Sequence, residues 1–429
     1  MSMLKKVGIE NILNLIPNRR VLLRADFNVP VKEGKVTDTK RIDATIPTIK
    51  KTLESGAKSV VIMSHLGRPD GKKNPKHSLR PVVPALEQAL GKKVTFLEDC
   101  IGADVESACR NAPEGSVILL ENLRFYPEEE GSYKDDQGNK VKIEKSRMKT
   151  FGESLTKLGD IYINDAFGTA HRAHSSITGI NLPVRAAGYL LKKELDYFGK
   201  ALEDPEKPFL MIMGGAKVKD KIQLINNLLE KSDEMIFGGG IAFTFLKRLR
   251  NMEIGGSLYD PEGADVVDHV MKTAKEKGVK IHLPVDIVCA ANPESKDTKI
   301  VSVEEGVPSN LKGFDFGPKT IEQNNKIIER AKTIVWNGPL GLFEQPQFAT
   351  SSIAVLDAME RATKKGALTI AGGGDTGALI QKQNGEGKIS HLSTGGGASL
   401  ELLEGKKLPG VEYLTNLDDL KDVKQQVKA

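Results

Sequence analysis

A chain of 429 residues with 39 % hydrophobic and 28 % charged side chains, a mean hydropathy of −0.29 and a formal charge of +5 has material for two or three domains with substantial cores. No apolar run reaches the roughly 20 residues that span a bilayer, and the opening MSMLKKVGIENIL lacks a continuous hydrophobic signal core, so an intracellular, cytoplasmic protein is expected. Cys100, Cys109 and Cys289 show no C-x-x-C spacing, which indicates neither a disulfide framework nor a zinc site, and the mild basicity suits a small anionic ligand better than nucleic acid.

Along the chain, short β-prone runs alternate with longer helical segments. The pattern predicts strands at Arg20–Asp26, Ser59–His65, Lys93–Leu97, Ser116–Asn122 and Asp160–Asp165, and again at Phe209–Met213, Glu234–Phe237, Lys280–Pro284, Thr333–Trp336 and Ala367–Ala371. Such alternation implies an α/β fold in two domains, each a parallel sheet flanked by helices. Between them Leu191, Leu195, Phe198 and Leu202 recur at helical spacing, which fits a linking helix or equally a helix of one domain. Tyr133 to Asn139 (YKDDQGN) reads as a polar, turn-rich surface excursion.

Residues that follow strands in a parallel sheet gather at one edge, where such folds bind ligands. In the first half these are Asp26 and Asn28, His65 with Arg68, Arg124, and the run from Asp165 to His171 and Arg172. In the second half they are GGAK, GGG, WNGP and AGGGD. One half is a basic pocket suited to carboxylate or phosphate, and the other is lined by glycine. Singly, each charged residue is a turn residue or a surface ion pair; their company favours an anion clamp. His171 and His174 lack a third ligand spaced to complete a metal shell.

A helix starting near Lys217 would place Lys217 and Lys221 on one face, a like-charge pair that an anion between them would relieve. Gly238–Gly240, Gly372–Gly374 and Gly395–Gly397 each close a short strand and precede a helix-compatible run, as phosphate-binding backbone does. Gly372, Gly374 and Gly377 also satisfy a dinucleotide fingerprint, with Glu401 as a ribose carboxylate, and a nicotinamide-dependent dehydrogenase is the competing reading. A catalytically silent anion-binding protein is a third. Asp375 stands where a bare pyrophosphate would be repelled and a divalent cation would be welcome. Asp315-Phe316-Gly317 spells a protein-kinase motif without its H-R-D companion, and no P-loop is present.

RADFNVP, SHLGRP, LLENLRF, NDAFGTAHRAHSS, GGAKVKDK, GGGIAF, WNGPLGLFE, AGGGDT and STGGGASLELLEG, in this order from about Lys5 to Leu417, resemble the phosphoglycerate kinase family. The resemblance implies two Rossmann-like three-layer domains joined by a helix with a cleft between them. The expected divisions are a phosphoglycerate-binding domain over 1–188, an interdomain helix over 189–204 and a nucleotide-binding domain over 205–404. A C-terminal segment over 405–429 would return to the first domain.

It implies reversible phosphoryl transfer between 1,3-bisphosphoglycerate and ADP carried with Mg²⁺, by a monomer. Asp26, Asn28, Arg41, His65, Arg68, Arg124 and Arg172 match phosphoglycerate-binding positions. Gly214, Lys217, Lys221, Gly238, Gly239, Phe314, Asn337, Glu344, Gly374, Asp375 and Thr376 match nucleotide-binding ones, with Asp375 at the metal contact. Arg41, Lys217, Gly373 and Gly396 match catalytic positions. Departures from the family pattern are Gln345, where many members carry tryptophan, Phe314, where leucine is frequent, and the extension after Leu417, expected as a solvated helix or disordered.

Overall fold

The computed structural model describes residues 2–428; Met1 and Ala429, the outermost residues of the expected first domain and C-terminal segment, lie outside the described residues. The chain divides into two compact units, one formed by residues up to Asp196 and from Lys407 onward, the other by Tyr197–Lys406.

The first unit is built on a parallel sheet in the spatial order Arg185–Ala187, Ile161–Asn164, Arg20–Arg24, Ser59–Met63, Ser116–Leu119 and Thr95–Phe96. Because successive strand side chains point to opposite faces, the buried runs feed two cores. Val21, Leu23, Val60, Ile62, Val117 and Leu119 enter one, while Leu22, Val61, Met63, Ile118 and Tyr162 enter the other. Helices such as Lys40–Glu54 and Val82–Leu90 supply the partners on one face, and Ala103–Arg110 and Lys145–Thr156 those on the other. The run around Tyr133 is a β-hairpin, Ser132–Lys134 paired antiparallel with Lys140–Lys142, rather than an irregular excursion. Its turn is tied by Gln137 and Asn139 N–H groups donating to Asp135 Oδ1.

The second unit repeats the plan with the order Lys280–His282, Glu234–Phe237, Phe209–Met213, Thr333–Asn337, Leu368–Gly372 and His391–Leu392, all parallel. It adds a sheet the sequence pattern did not announce. Asp286–Ala290 lies between Lys299–Ser302 and Lys312–Phe316, antiparallel to both.

The helix Tyr189–Glu203 spans the division between the units, and Leu191, Leu195, Phe198 and Leu202 are among its buried residues. The first unit holds its N-terminus. Leu191 N–H donates to Asp165 Oδ1 (3.1 Å) and Tyr189 N–H to Thr48 Oγ1 (3.0 Å), while Thr48 donates to Asp165 Oδ2 (2.6 Å). Helix starts leave such N–H groups without intrahelical partners, which is what these two side chains satisfy.

The C-terminal segment folds onto the first unit. Val7 N–H donates to Thr415 O, and the buried Lys6 ammonium donates to Glu412 O and Leu414 O. The extension after Leu417 is a helix, Leu420–Lys428, docked rather than free: Leu420, Val423 and Val427 pack on the core and Arg19 Nη2 donates to Val427 O at 2.6 Å. Among the described residues no helix is long and apolar enough to cross a membrane.

Candidate active site

In the first unit the site residues stand beyond the C-terminal ends of the central strands. Asp26 and Asn28 follow Arg20–Arg24, and His65 follows Ser59–Met63. Arg41 projects from the first turn of Lys40–Glu54, and its Nη1 donates to Asp26 Oδ1 (3.2 Å) and Asn28 O (2.9 Å). Asn28 Oδ1 accepts from Gly67 N–H (2.9 Å), and Gly67 O accepts from Arg124 Nη1 (3.0 Å). A single glycine thereby joins the Asp26–Arg41 cluster to the arginine cluster.

Arg68, Arg124 and Arg172 share a cavity of about 520 Å³ with His174, as the basic reading expects. Arg68 and Arg172 are exposed, whereas Arg124 is largely enclosed and 3.6 Å from Glu130. Desolvation raises the Glu130 carboxyl above its ordinary range, with Arg124 opposing. The opposite wall was not anticipated. Lys134 and Lys140, directly paired across the hairpin, line it with Tyr133. A lysine on either side of the Gly138-Asn139 turn was the available signal, hidden because the run reads as solvated polar chain.

In the second unit, Gly239, Phe314, Glu344 and Asp375 line a cavity of about 430 Å³ whose walls are otherwise mostly apolar, including Phe243, Leu258 and Phe343. An apolar slot with a few polar groups at one end is the usual form of a small-molecule site. Two glycines are demanded by close packing. A Cβ at Gly214 would lie 1.8 Å from Pro339 O, and Gly239 has φ +63° with Gly215 O 2.6 Å from where its Cβ would stand. Gly214 and Gly238 are not among the residues lining the cavity, and a Cβ at Gly238 would lie 2.4 Å from Leu340 Cδ2.

Lys217 does not begin the helix as expected. It is the N-cap, in extended backbone, ahead of Val218–Leu229, so it shares no helical face with Lys221. Lys221 instead turns inward, its Nζ donating to Asn337 Oδ1 (2.7 Å), and burial lowers its pKa. Asn337 Nδ2 donates to Gly372 O (3.1 Å), and Gly338 N–H donates to Thr376 Oγ1 (2.7 Å). Lys221, Asn337 and Thr376 thus brace one sheet edge from three elements.

Gly373 (φ +104°) caps the helix Gly374–Lys382, which exposes Gly374 and Asp375 in its first turn. Gly396 caps the short helix Gly397–Leu403. Among the described residues no three His, Cys, Asp or Glu side chains are grouped to hold a metal ion. Asp375 alone fits a cation of the magnesium type, which is commonly bound through one or two carboxylates with the remaining positions filled by substrate phosphates and water.

The comparisons agree with one another. The family profile described as phosphoglycerate kinase matches residues 11–406. The chain is 58 % identical over 417 residues to the phosphoglycerate kinase of Tetrahymena thermophila, covering 97 % of this chain and 99 % of that one. It is 58 % identical over 404 residues to human phosphoglycerate kinase 1, covering 94 % and 97 %. The solved phosphoglycerate kinase of Coxiella burnetii superposes with a TM-score of 0.83 at 38 % identity, over 98 % of this chain and all of that one. The dinucleotide fingerprint at Gly372–Gly377 thus does not carry the dehydrogenase reading, and the chain is a member of the phosphoglycerate kinase family.

Proposed function

We propose that the chain moves a phosphoryl group reversibly between the acyl phosphate of 1,3-bisphosphoglycerate and Mg-ADP, giving 3-phosphoglycerate and Mg-ATP. The observation that carries this reading is the arginine-walled cavity of the first unit, in a chain whose second unit holds an apolar, glycine-floored pocket with Glu344 and Asp375.

In this reading Arg68, Arg124 and Arg172 hold the distal phosphate, and Asp26, Asn28, Arg41 and His65 hold the glycerate end. Guanidinium forks match phosphate oxygens in geometry as well as charge. Phe314 and the other apolar residues of the slot take the base, Glu344 the ribose, and Gly238, Gly239, Lys217 and Lys221 the phosphates. Asp375 contacts the Mg²⁺ that arrives with the nucleotide, and that ion supplies neutralisation of phosphate charge.

The attacking group is a carboxylate in one direction and a nucleotide phosphate in the other, both ionised at neutral pH, so no general base is required. What is required is stabilisation of charge spread over the oxygens of the transferring group. Arg41, Lys217 and the N–H groups around Gly373 and Gly396 are the donors suited to that task.

The test is a coupled assay of ATP-dependent 3-phosphoglycerate phosphorylation with and without Mg²⁺. Turnover dependent on all three is expected. Binding of 3-phosphoglycerate without turnover would replace this reading with that of a silent anion-binding protein.

A further inference from the structure

Beneath His65 lies a buried charged assembly to which the phosphoryl-transfer reading gives no part. Arg24, at the end of the central strand, and Glu129, in the short helix Pro127–Glu130, are both 0 % exposed. Arg24 Nε donates to Ser176 Oγ (2.8 Å), and its Nη2 lies 3.9 Å from Glu129 Oε2 and 3.1 Å from His65 Nδ1. Ser176 completes the unit, its N–H donating to Glu129 Oε1 (2.7 Å) and its hydroxyl to Glu129 Oε2 (2.6 Å). Breaking a buried pair that is satisfied on every side is costly, so the guanidinium is held in place.

A guanidinium can only donate. The contact with His65 therefore has one sense: Nη2–H donates and Nδ1 accepts with its lone pair. An imidazole that accepts at Nδ1 carries its single proton on Nε2.

We propose that Arg24, clamped by Glu129 and Ser176, is a positioning residue that fixes His65 as the neutral tautomer with its proton on Nε2. This rests on the reading of His65 as a glycerate ligand, and it assigns that ligand a definite chemistry. His65 serves as a neutral hydrogen-bond donor to the anionic substrate, and Arg24 acts only through it.

The surroundings reinforce the neutral form. His65 is 3 % exposed, and the charged groups acting on it, Arg24, Arg124 and Arg41, are all cations, with the buried His174 beside them. Desolvation first and these charges second hold its pKa well below the ordinary imidazole value. Glu129, the carboxylate of the assembly, is engaged by Arg24 and Ser176. The neutral state of His65 is therefore kept through the physiological range, and the site's charge is set by arginines that do not titrate there.

The test is long-range proton–nitrogen correlation spectroscopy on the full chain labelled with ¹⁵N-histidine, the His65 signals being assigned by their loss in His65→Gln. A pyridine-type Nδ1 and a pyrrole-type Nε2, unchanged from about pH 8 to pH 5, are expected. In Arg24→Met no donor remains to hold Nδ1 as the acceptor, so the two ring nitrogen signals should move towards one another as the Nδ1–H tautomer becomes populated. The KM for 3-phosphoglycerate should rise with the loss of the Nε2–H donor, with kcat changing less than KM.

A parent protein with its proton on Nδ1, or one whose His65 gains charge between pH 8 and pH 5, overturns the proposal. So does an Arg24→Met variant with unchanged tautomer and KM. The spectrum of the unsubstituted protein decides the matter even where the variant does not fold. Because that spectrum needs no substrate, a correct tautomer in a protein that fails to turn over would condemn the functional reading and not this one.

Discussion

Arg41 leaves the first turn of its helix half exposed, with only Nη1 engaged, by Asp26 and Asn28. Among the described residues no hydrogen-bond partner is found for its Nε and Nη2 donors, an arrangement that orients the fork while leaving most of it for a ligand. A preorganised donor of this kind is worth about 10² or more in rate, so Arg41→Ala is expected to lower kcat by that factor while the fold survives. Turnover near that of the parent would remove Arg41 from the mechanism. Asp375, exposed at the start of Gly374–Lys382, is the only carboxylate assigned to the metal. Asp375→Asn keeps its shape and removes its charge. The Mg²⁺ concentration giving half-maximal activity should rise by at least about tenfold, the usual lower bound for loss of a partner at a metal site. An unchanged Mg²⁺ curve would leave Asp375 as a helix-start residue favoured by the dipole alone.

At the scale of elements, the hairpin Ser132–Lys142 places Lys134 and Lys140 directly opposite one another, and neither has an ion-pair partner among the described residues. Like charges so paired are destabilising unless an anion sits nearby. With both replaced by alanine, the KM for 3-phosphoglycerate is expected to rise by about tenfold, the equivalent of roughly 1.4 kcal/mol, with kcat held within a factor of about two. A KM unmoved by the double substitution would return the hairpin to the status of a solvated flap. Asp165 ties the sheet to the helix Tyr189–Glu203, and burial pushes its carboxyl up to about 6. Between about pH 4 and pH 6 the native state binds a proton here that the unfolded chain has released, so this group's contribution to stability falls as pH rises through that window. A shift of this size corresponds to about 3 kcal/mol. Asp165→Asn should accordingly gain stability relative to the parent between pH 4 and pH 7, read as diverging urea midpoints. Parallel midpoints would show that Asp165 stays ionised at little cost.

These elements also show what the sequence could and could not disclose. The eight central strands of the two large sheets were legible because strands buried on both faces are continuous apolar runs, as at Ser59–Met63. Edge strands such as Arg185–Ala187 and His391–Leu392 are too short to carry a pattern. The antiparallel sheet was missed because Lys299–Ser302 alternates weakly and half of it is exposed. Nothing local to the PEEE run marks Glu129 as a buried acid, because its partner Ser176 returns to it only 47 residues later.

For the molecule as a whole, the proposed function assigns one substrate to each of the two compact units, and the helix Tyr189–Glu203 belongs partly to both. In-line transfer needs the attacking oxygen within about 3 to 3.5 Å of phosphorus, so substrates held by different units react only when both are brought to that distance. The reacting complex must therefore bring the two sites together, and the same step excludes water from an acyl phosphate that hydrolyses readily. Bound singly, each substrate contacts only its own unit and has no differential affinity for a closed arrangement. Bound together, their transferring oxygens and the donors Arg41 and Lys217 meet, and only then is closure stabilised. Solution scattering is thus expected to give the same radius of gyration for the free chain and for either binary complex, and a smaller one with 3-phosphoglycerate and Mg-ATP both present. Equal radii in all four states would refute closure, and contraction with one substrate alone would place its driving force within a single unit.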